Sequence, residues 1–246
     1  MNELKDKVAL VTGGGRGIGA AIARRLAEQG ADVALTYEQA AGRASAVAGE
    51  IEDMGRRSLA VHADSGDAAA VTAAVDQVAE VFGRLDIVVN NAGAFMVGPV
   101  ADLGAAELDR TLAVNVRAPY LASRAAVRHM GGGGRIISIG SNMAERVPFG
   151  GMTLYALSKT ALVGMTKGLA RELGARGITV NLVHPGPTDT DANPADRPGA
   201  EAIRGLTALG RYATPSEIAA VVAFLAGEDG RYVTGAVVNA DGGFTV

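Results

Sequence analysis

The chain has 246 residues, 48% of them hydrophobic, and a formal net charge of −3 at pH 7. This length and apolar content are ample for one sizeable core, whereas the negative charge argues against a protein that binds nucleic acid through its phosphates. The chain has no cysteine, which excludes disulfides, thiolate metal ligands and a cysteine nucleophile.

Metal sites and membrane segments also lack support in the sequence. The three histidines, His62, His129 and His184, are far apart and show no metal-binding spacing, so we predict no metal. No apolar run approaches the ~20 residues of a membrane span, and Val8–Val11 is too short for the core of a signal peptide. We therefore expect a cytoplasmic protein without a membrane or nucleic-acid partner.

Short aliphatic runs alternate with alanine-rich helical stretches along the whole chain. The predicted strands are Val8–Val11, Val33–Thr36, Ser58–His62, Ile87–Val89, Arg135–Ile139, Thr179–Val183 and Ala236–Asn239. Helices are predicted at about 17–29, 41–54, 67–82, 104–129, 153–175 and 215–226. Apolar strands that are each followed by a helix indicate a parallel sheet covered on both faces. We predict one α/β domain over residues 1–246, a doubly wound seven-stranded parallel sheet (Rossmann fold).

The turn between the first strand and the first helix is rich in glycine. It contains Gly13, Gly15, Gly17 and Gly19, which let the backbone approach a pyrophosphate at the amino terminus of the helix. A nucleoside-triphosphate loop needs Lys and Ser/Thr after its last glycine, where this chain has two alanines. The turn therefore predicts a dinucleotide site.

Tyr155 and Lys159 lie four residues apart in a segment of helical periodicity, so they share one helix face. Such a pair is more often a half-exposed surface pair than a catalytic one. An ammonium beside a phenol would bring the tyrosine pKa down towards neutral pH, and Ser141 could hydrogen-bond the same substrate oxygen. We prefer Ser141 to Ser138, because ligands bind at the carboxyl ends of parallel strands.

Six motifs occur in the order found in the short-chain dehydrogenase/reductase family, which the whole chain resembles. They are Thr12-Gly13-x-x-x-Gly17-x-Gly19, Asn90-Asn91-Ala92-Gly93, Asn115, Ser141, Tyr155-x-x-x-Lys159 and Pro185-Gly186. The ending from Thr234 to Gly243 resembles the β-ketoacyl-ACP-reductase-like branch. The resemblance implies an oxidoreductase that acts on a ketone or a secondary alcohol.

The resemblance also implies a role for each site residue. Tyr155 would be the general acid/base, Ser141 would polarise the substrate oxygen, Lys159 would bind the nicotinamide ribose and lower the Tyr155 pKa, and Asn115 would hold a water in a proton relay to Lys159. Asp64 would contact the adenine, although it could equally cap a helix. The implied cofactor-binding set is Gly13, Gly15, Arg16, Gly17, Ile18, Gly19, Tyr37, Asp64, Asn91, Ala92, Gly93, Tyr155, Lys159, Pro185, Gly186, Thr188 and Thr190.

The residues after the second strand bear on the choice of cofactor. NAD sites place an acid there, but this chain has Tyr37, with Glu38 one position later. Arg16 could pair with a 2′-phosphate. We predict NADPH as the preferred cofactor (NADP in its oxidised form), with Glu38 the reason to keep NAD open.

The substrate side is mostly apolar, with Ala94 to Val97, Met143, Phe149 and Met152 among its predicted borders, and we predict a modest hydrophobic ketone. A proline-rich segment at about 187–211 is predicted to be a lid. Arg124, Arg128 and Arg146 could recognise an acyl-carrier protein, but solvated surface is the simpler interpretation. The resemblance further implies a homotetramer.

Three functions remain open at this point. The first is an NADPH-dependent carbonyl reductase, and the second is an NAD-dependent secondary-alcohol dehydrogenase. The third is a dinucleotide-binding regulator without turnover, because a fold alone does not prove a function.

Overall fold

Seven strands form one parallel sheet in the order β3-β2-β1-β4-β5-β6-β7. The computed structural model describes residues 3–246. The strands are β1 (Val8–Val11), β2 (Asp32–Tyr37), β3 (Ser58–His62), β4 (Ile87–Asn90), β5 (Arg135–Ile139), β6 (Thr179–Pro185) and β7 (Val237–Ala240). Each lies within two residues of its predicted ends. The predicted fold class, a doubly wound seven-stranded parallel sheet, is confirmed.

Eight α-helices accompany the strands in the described part of the chain. They are α1 (Gly17–Glu28), α2 (Ala41–Asp53), α3 (Ala68–Phe82), α4 (Ala105–Leu112), α5 (Ala118–Val127), α6 (Thr153–Leu173), α7 (Ala200–Arg204) and α8 (Pro215–Ala226). Residues 3–246 include no helix long and apolar enough to cross a membrane.

The prediction of one continuous helix over 104–129 is wrong. A π-helical turn, Ala113–Arg117, separates α4 from α5, and the N–H of Ala118 bonds to the carbonyl oxygen of Ala113. Pro119 explains the interruption, because proline has no N–H for the carbonyl of Asn115 and its ring crowds that carbonyl in a regular helix.

Two apolar cores cover the two faces of the sheet. Helices α1, α2 and α8 pack on one face, with fully buried side chains such as Ile22 and Leu26. Helices α3 and α5 and the end of α6 pack on the other face, where Val78 and Leu173 are buried. Burial on both faces explains why the strands are apolar throughout.

The order in which strands are added to the sheet reverses between β1 and β4. From β1 the chain runs outward through β2 and β3, and β4 then pairs with the opposite edge of β1. Helices on either side of such a switch point diverge and leave a crevice at the carboxyl ends of the strands. Beyond β6 the proline-rich segment is irregular except for α7, and it is joined to residue Ala213 by a bridge at Thr188.

Candidate active site

A cleft of about 1210 Å³ opens at the carboxyl ends of the strands. It runs from the glycine turn after β1, across the ends of β4 and β5, to the segment that follows β6. Sixteen of the seventeen predicted cofactor-binding residues line it, namely Gly13, Gly15, Arg16, Gly17, Ile18, Gly19, Tyr37, Asn91, Ala92, Gly93, Tyr155, Lys159, Pro185, Gly186, Thr188 and Thr190. The predicted set is therefore brought together in one place.

The glycine turn is held tightly against the end of β4. The Nδ2 of Asn91 donates to the carbonyl oxygens of Thr12 and Gly13, at 2.9 and 3.1 Å. A Cβ on Gly19 would lie 2.4 Å from both Gly13 O and that Nδ2, and Gly17 has a φ of +53°. Both positions therefore require glycine, and the turn presents the N–H groups of the α1 amino terminus to the cleft. This cradle fits a pyrophosphate.

Asp64 is the one predicted cofactor-binding residue that does not line the cleft. Its Oδ1 accepts a hydrogen bond from the Gly66 N–H at 2.7 Å, and Arg110 donates to it at 3.1 Å. These contacts hold the pKa of Asp64 below its usual value. At the exit of β3 the cleft is lined by Ala63 and Ser65 instead. Asp64 is not the cap of α3 either, since Asp67 takes that position.

The side chains of Tyr155, Lys159 and Ser141 meet in the middle of the cleft. Tyr155 and Lys159 project from the first turns of α6, and Ser141 follows β5. The Lys159 ammonium donates to the carbonyl oxygen of Ile139 at 3.0 Å and lies 5.8 Å from the centre of the Tyr155 ring. The four-residue helical spacing therefore places both groups on the same side of the cleft.

The pKa of Tyr155 moves against the expectation from the sequence. Burial raises the pKa of Tyr155, and a hydrogen bond with the Ser141 side chain opposes that rise only in part. Lys159 was expected to lower this pKa, but its ammonium is directed to a backbone carbonyl rather than to the phenol. Burial also lowers the pKa of Lys159 to about 8. In this cleft Tyr155 is therefore a neutral phenol at pH 7.

Ser141 and Ser138 have different surroundings. The Ser138 hydroxyl is fully buried and accepts a hydrogen bond from Asn90 inside the protein. Ser141 lines the cleft, and its hydroxyl accepts a hydrogen bond from the Met143 N–H at 3.2 Å. Of the two serines, Ser141 is the one placed beside Tyr155.

His184, which the sequence did not indicate as a site residue, contacts the backbone of Ser141 from the interior of the protein. Its ring is fully buried, and its Nδ1 is 3.0 Å from the backbone nitrogen of Ser141 and also contacts the carbonyl oxygen of that residue. Burial lowers the pKa of His184, so the ring is neutral. A Cβ on Gly140 would lie 2.9 Å from this ring. The contact between His184 and Ser141 follows from the pairing of β5 with β6, which places the carboxyl ends of the two strands side by side.

Asn115 lies in the π-helical turn, behind the cleft wall. Its Oδ1 accepts from the Ala94 N–H at 2.7 Å, and its Nδ2 donates to Ala94 O and to Ser158 Oγ, both at 2.9 Å. Both amide hydrogens are thus in use. The side chain therefore fixes the wall at Ala94.

Charged side chains surround the end of the cleft near β2. Glu38 accepts a hydrogen bond from Arg110 at 3.2 Å, and the same guanidinium reaches Asp64. Arg16 lies 3.5 Å from Asp191, a residue of the segment after β6. The only predicted acid for an NAD ribose, Glu38, is therefore paired with an arginine.

The substrate side of the cleft is lined by apolar side chains. Phe95 is 66% exposed, and its ring stands edge-to-face against Tyr155 with centroids 4.9 Å apart. The other large apolar residues there are Met143, Phe149, Met152, Ile203 and Phe244. Within residues 3–246 no group of three His, Asp or Glu side chains could hold a metal ion.

Comparison with known proteins places these features in context. Residues 13–245 match a family model described as enoyl-(acyl carrier protein) reductase. A short chain dehydrogenase from Burkholderia cenocepacia, solved in complex with NADP, is 58% identical with a TM-score of 0.98, and each chain is covered completely. A blue fluorescent protein from a metagenomic library, solved with NADPH, is 54% identical over both full chains, also with a TM-score of 0.98. The cyclic-di-GMP-binding biofilm dispersal mediator protein of Escherichia coli is 46% identical, over 99% of each chain.

Proposed function

The chain belongs to the short-chain dehydrogenase/reductase family, and from that premise we propose that it is an NADPH-dependent carbonyl reductase. The observation that carries the proposal is the meeting of Tyr155, Ser141 and Lys159 in a cleft whose other end is the glycine turn. Close relatives were solved with NADP or NADPH, and the turn from Gly13 to Gly19 fits the pyrophosphate of such a cofactor. Bound NADPH would supply the hydride that reduces the carbonyl carbon.

Tyr155 would give its phenolic proton to the ketone oxygen. The phenol is protonated at neutral pH, as proton donation requires, and its hydrogen bond with Ser141 opposes the rise in pKa that burial causes. The Ser141 hydroxyl would hydrogen-bond the same oxygen and stabilise the charge that develops on it.

Lys159 and Asn115 would return a proton to Tyr155. The Lys159 ammonium is buried beside the tyrosine ring. Gly93 lies between Lys159 and Asn115, since a Cβ on this glycine would be 3.5 Å from both Lys159 Nζ and Asn115 Oδ1. A water on the backbone carbonyl of Asn115, to which Pro119 has no N–H to donate, would complete the path to Lys159.

The substrate is proposed to be an apolar ketone of modest size. The walls around Phe95, Met152 and Ile203 offer contact surface rather than charge. An acyl-carrier-protein substrate has less support, because Arg128 is paired with Asp76 and Arg146 is bound to the carbonyl of Phe244.

NADPH is favoured over NADH by the charges near β2. Glu38 is the acid that could accept a ribose hydroxyl, but Arg110 pairs with it at 3.2 Å and offsets its repulsion of a 2′-phosphate. Arg16, at the amino terminus of α1, is 58% exposed and lines the cleft. An NAD-dependent alcohol dehydrogenase is therefore the second choice.

A test of the reaction is straightforward with purified protein. NADPH or NADH is mixed with aliphatic and aromatic ketones, a 3-oxoacyl thioester and an enoyl thioester, and oxidation of the cofactor is followed by absorbance. Turnover of ketones with NADPH supports the proposal. Tyr155→Phe should lower kcat by roughly 10²- to 10⁴-fold, while Tyr232→Phe, at a 99% exposed position, should not. Full activity of Tyr155→Phe would refute the catalytic assignment.

Nucleotide binding without turnover is the third possible function. The Escherichia coli relative, whose name describes it as cyclic-di-GMP-binding, suggests the nucleotide to test. Equilibrium binding of cyclic-di-GMP, with NADPH as competitor, tests it. Tight cyclic-di-GMP binding together with no turnover across the ketone panel would favour the regulator.

We also propose a homotetramer in the cytoplasm. Leu108, Tyr120 and Leu157 expose apolar surface on α4, α5 and α6, and a groove of about 610 Å³ runs between Tyr120 and Met165. Exposed apolar helix faces favour burial between subunits. Light scattering after size exclusion should give four times the mass of one chain.

A further inference from the structure

Asp191, in the segment after β6, lies against two arginines from other elements. Arg16 stands at the amino terminus of α1, and Arg43 lies in the first turn of α2. The Arg43 guanidinium hydrogen-bonds Asp191 Oδ2, and the Arg16 guanidinium is 3.5 Å from the same oxygen. The bond from Arg43 and the charge of Arg16 hold the pKa of Asp191 below its usual value.

The position of this cluster points to the cofactor. In a doubly wound sheet the pyrophosphate lies at the amino terminus of α1, and the residues after β2 meet the 2′ position of the adenosine ribose. Arg16 belongs to the first of these places and Arg43 to the helix that follows β2. All three side chains of the cluster are between 40% and 60% exposed, so a ligand can reach them.

Two guanidiniums that converge on one carboxylate oxygen form a ready-made site for a phosphate monoester. Such a group carries a charge of about −1.5 to −2 and three acceptor oxygens, whereas a carboxylate carries one charge and two oxygens. Phosphate would therefore compete well with Asp191 for the same pair. NADH has only a hydroxyl at that position and would leave the pairing intact.

We propose that Arg43 is a second contact for the 2′-phosphate of the cofactor, and that Asp191 is a built-in competitor for the Arg16–Arg43 pair. This inference rests on the proposed use of NADPH. Asp191 weakens NADPH binding because the phosphate must displace it, and it leaves NADH binding unaffected. The residue thereby sets how strongly the protein discriminates between the two cofactors.

Equilibrium binding tests the proposal without turnover. The probes are 2′,5′-ADP and 5′-AMP, which differ by the 2′-phosphate alone, and calorimetry measures their Kd. Arg43→Gln should weaken 2′,5′-ADP by about 10-fold and leave 5′-AMP unchanged. Asp191→Asn should tighten 2′,5′-ADP by about 3- to 5-fold, again without effect on 5′-AMP, and high salt should reduce this gain.

Glu201→Gln is the matched control. Glu201 belongs to the same segment, has a side chain that is 88% exposed, and pairs with Arg204. Its loss changes the net charge as Asp191→Asn does, so an equal gain in both variants would overturn the role of Asp191. Unchanged 2′,5′-ADP affinity in Arg43→Gln would overturn the role of Arg43.

A failure of the cofactor proposal looks different. If the unmodified protein binds 2′,5′-ADP no better than 5′-AMP, preference for NADPH itself is wrong and this inference falls with it. If the preference is present and depends on Arg16 alone, the cofactor proposal stands and only the further inference is refuted.

Discussion

The imidazole of His184 fixes the main chain of Ser141, with its Nδ1 3.0 Å from the Ser141 nitrogen. His184 lies on β6 and Ser141 directly after β5, so the contact joins neighbouring strands at the floor of the cleft. A buried backbone N–H that loses its partner is costly, and the loop would move to find another. The orientation of the Ser141 hydroxyl therefore depends on a side chain that does not touch the cleft.

Replacement of His184 tests this dependence. His184→Leu should lower kcat by about 10- to 100-fold through displacement of Ser141, with little change in the Kd of NADPH. His184→Asn is the conservative control, because an amide can offer a polar atom near the position of Nδ1. The kcat, the KM of the ketone and the Kd of NADPH are measured for each. A loss confined to stability, with kcat retained in the folded His184→Leu protein, would show that the role is structural only.

Lys159 is held in the protein at a cost to stability. Burial lowers the pKa of Lys159 from 10.5 to about 8 because it disfavours the charged ammonium. The folded protein therefore carries the full free-energy cost of this burial at every pH below about 8. The cost shrinks as the pH rises from 8 to 10.5 and is absent above that, because the lysine is then neutral in both folded and unfolded states.

Lys159→Met should therefore raise the free energy of unfolding at pH 7, by on the order of 3 kcal/mol less the lost bond to Ile139, and should abolish turnover. The gain should vanish near pH 10.5. Denaturant unfolding at pH 7 and at pH 10.5 measures both values. Lys167→Met, at an exposed position of the same helix, should have almost no effect at either pH. A destabilised Lys159→Met protein at pH 7 would contradict this account.

Arg110 should contribute to cofactor choice through Glu38. Without the guanidinium the Glu38 carboxylate is unpaired at the edge of the cleft and repels a 2′-phosphate. Arg110→Met should raise the KM for NADPH roughly 2- to 5-fold and leave the KM for NADH unchanged. Arg110→Lys keeps the charge and should stay close to the original protein. Equal losses with both cofactors would mean that Arg110 acts on the shape of the cleft.

Phe95 should govern the affinity for apolar ketones. Its exposed ring packs edge-to-face on Tyr155 with centroids 4.9 Å apart, beside the place where a substrate would meet the phenol. Phe95→Ala should raise the KM of an aromatic ketone by about 2- to 12-fold, which corresponds to the free energy of one aromatic–aromatic contact. Phe95→Tyr should preserve it, and Phe224→Ala, at a 48% exposed position on α8, serves as the surface control. An unchanged KM would place the substrate elsewhere in the cleft.

The sequence was most informative where chemistry depends on local spacing. The apolar strands, the glycine turn before α1 and the four-residue interval between Tyr155 and Lys159 are all readable from neighbouring residues. The π-helical turn was missed because its cause, Pro119, acts on a carbonyl four residues earlier inside an otherwise helical pattern.

Contacts between distant segments could not be predicted in the same way. Asp64 is drawn to Arg110, 46 positions away, and Asp191 to Arg43, 148 positions away. The pKa of Tyr155 was expected to fall because a lysine is near in sequence, but burial by the whole cleft dominates it. Such outcomes depend on the packing of distant elements, which no local pattern records.

Two of the proposed catalytic side chains share one kind of anchor, since Lys159 and Asn115 are each bound to the main chain of another segment. Lys159 is held by the carbonyl of Ile139, and the amide of Asn115 by the backbone of Ala94. Main-chain atoms are the same whatever side chain a residue carries. Mutations in the apolar walls can therefore change what the cleft accepts without displacing the groups that act on it, and the architecture is well suited to acquiring new substrates.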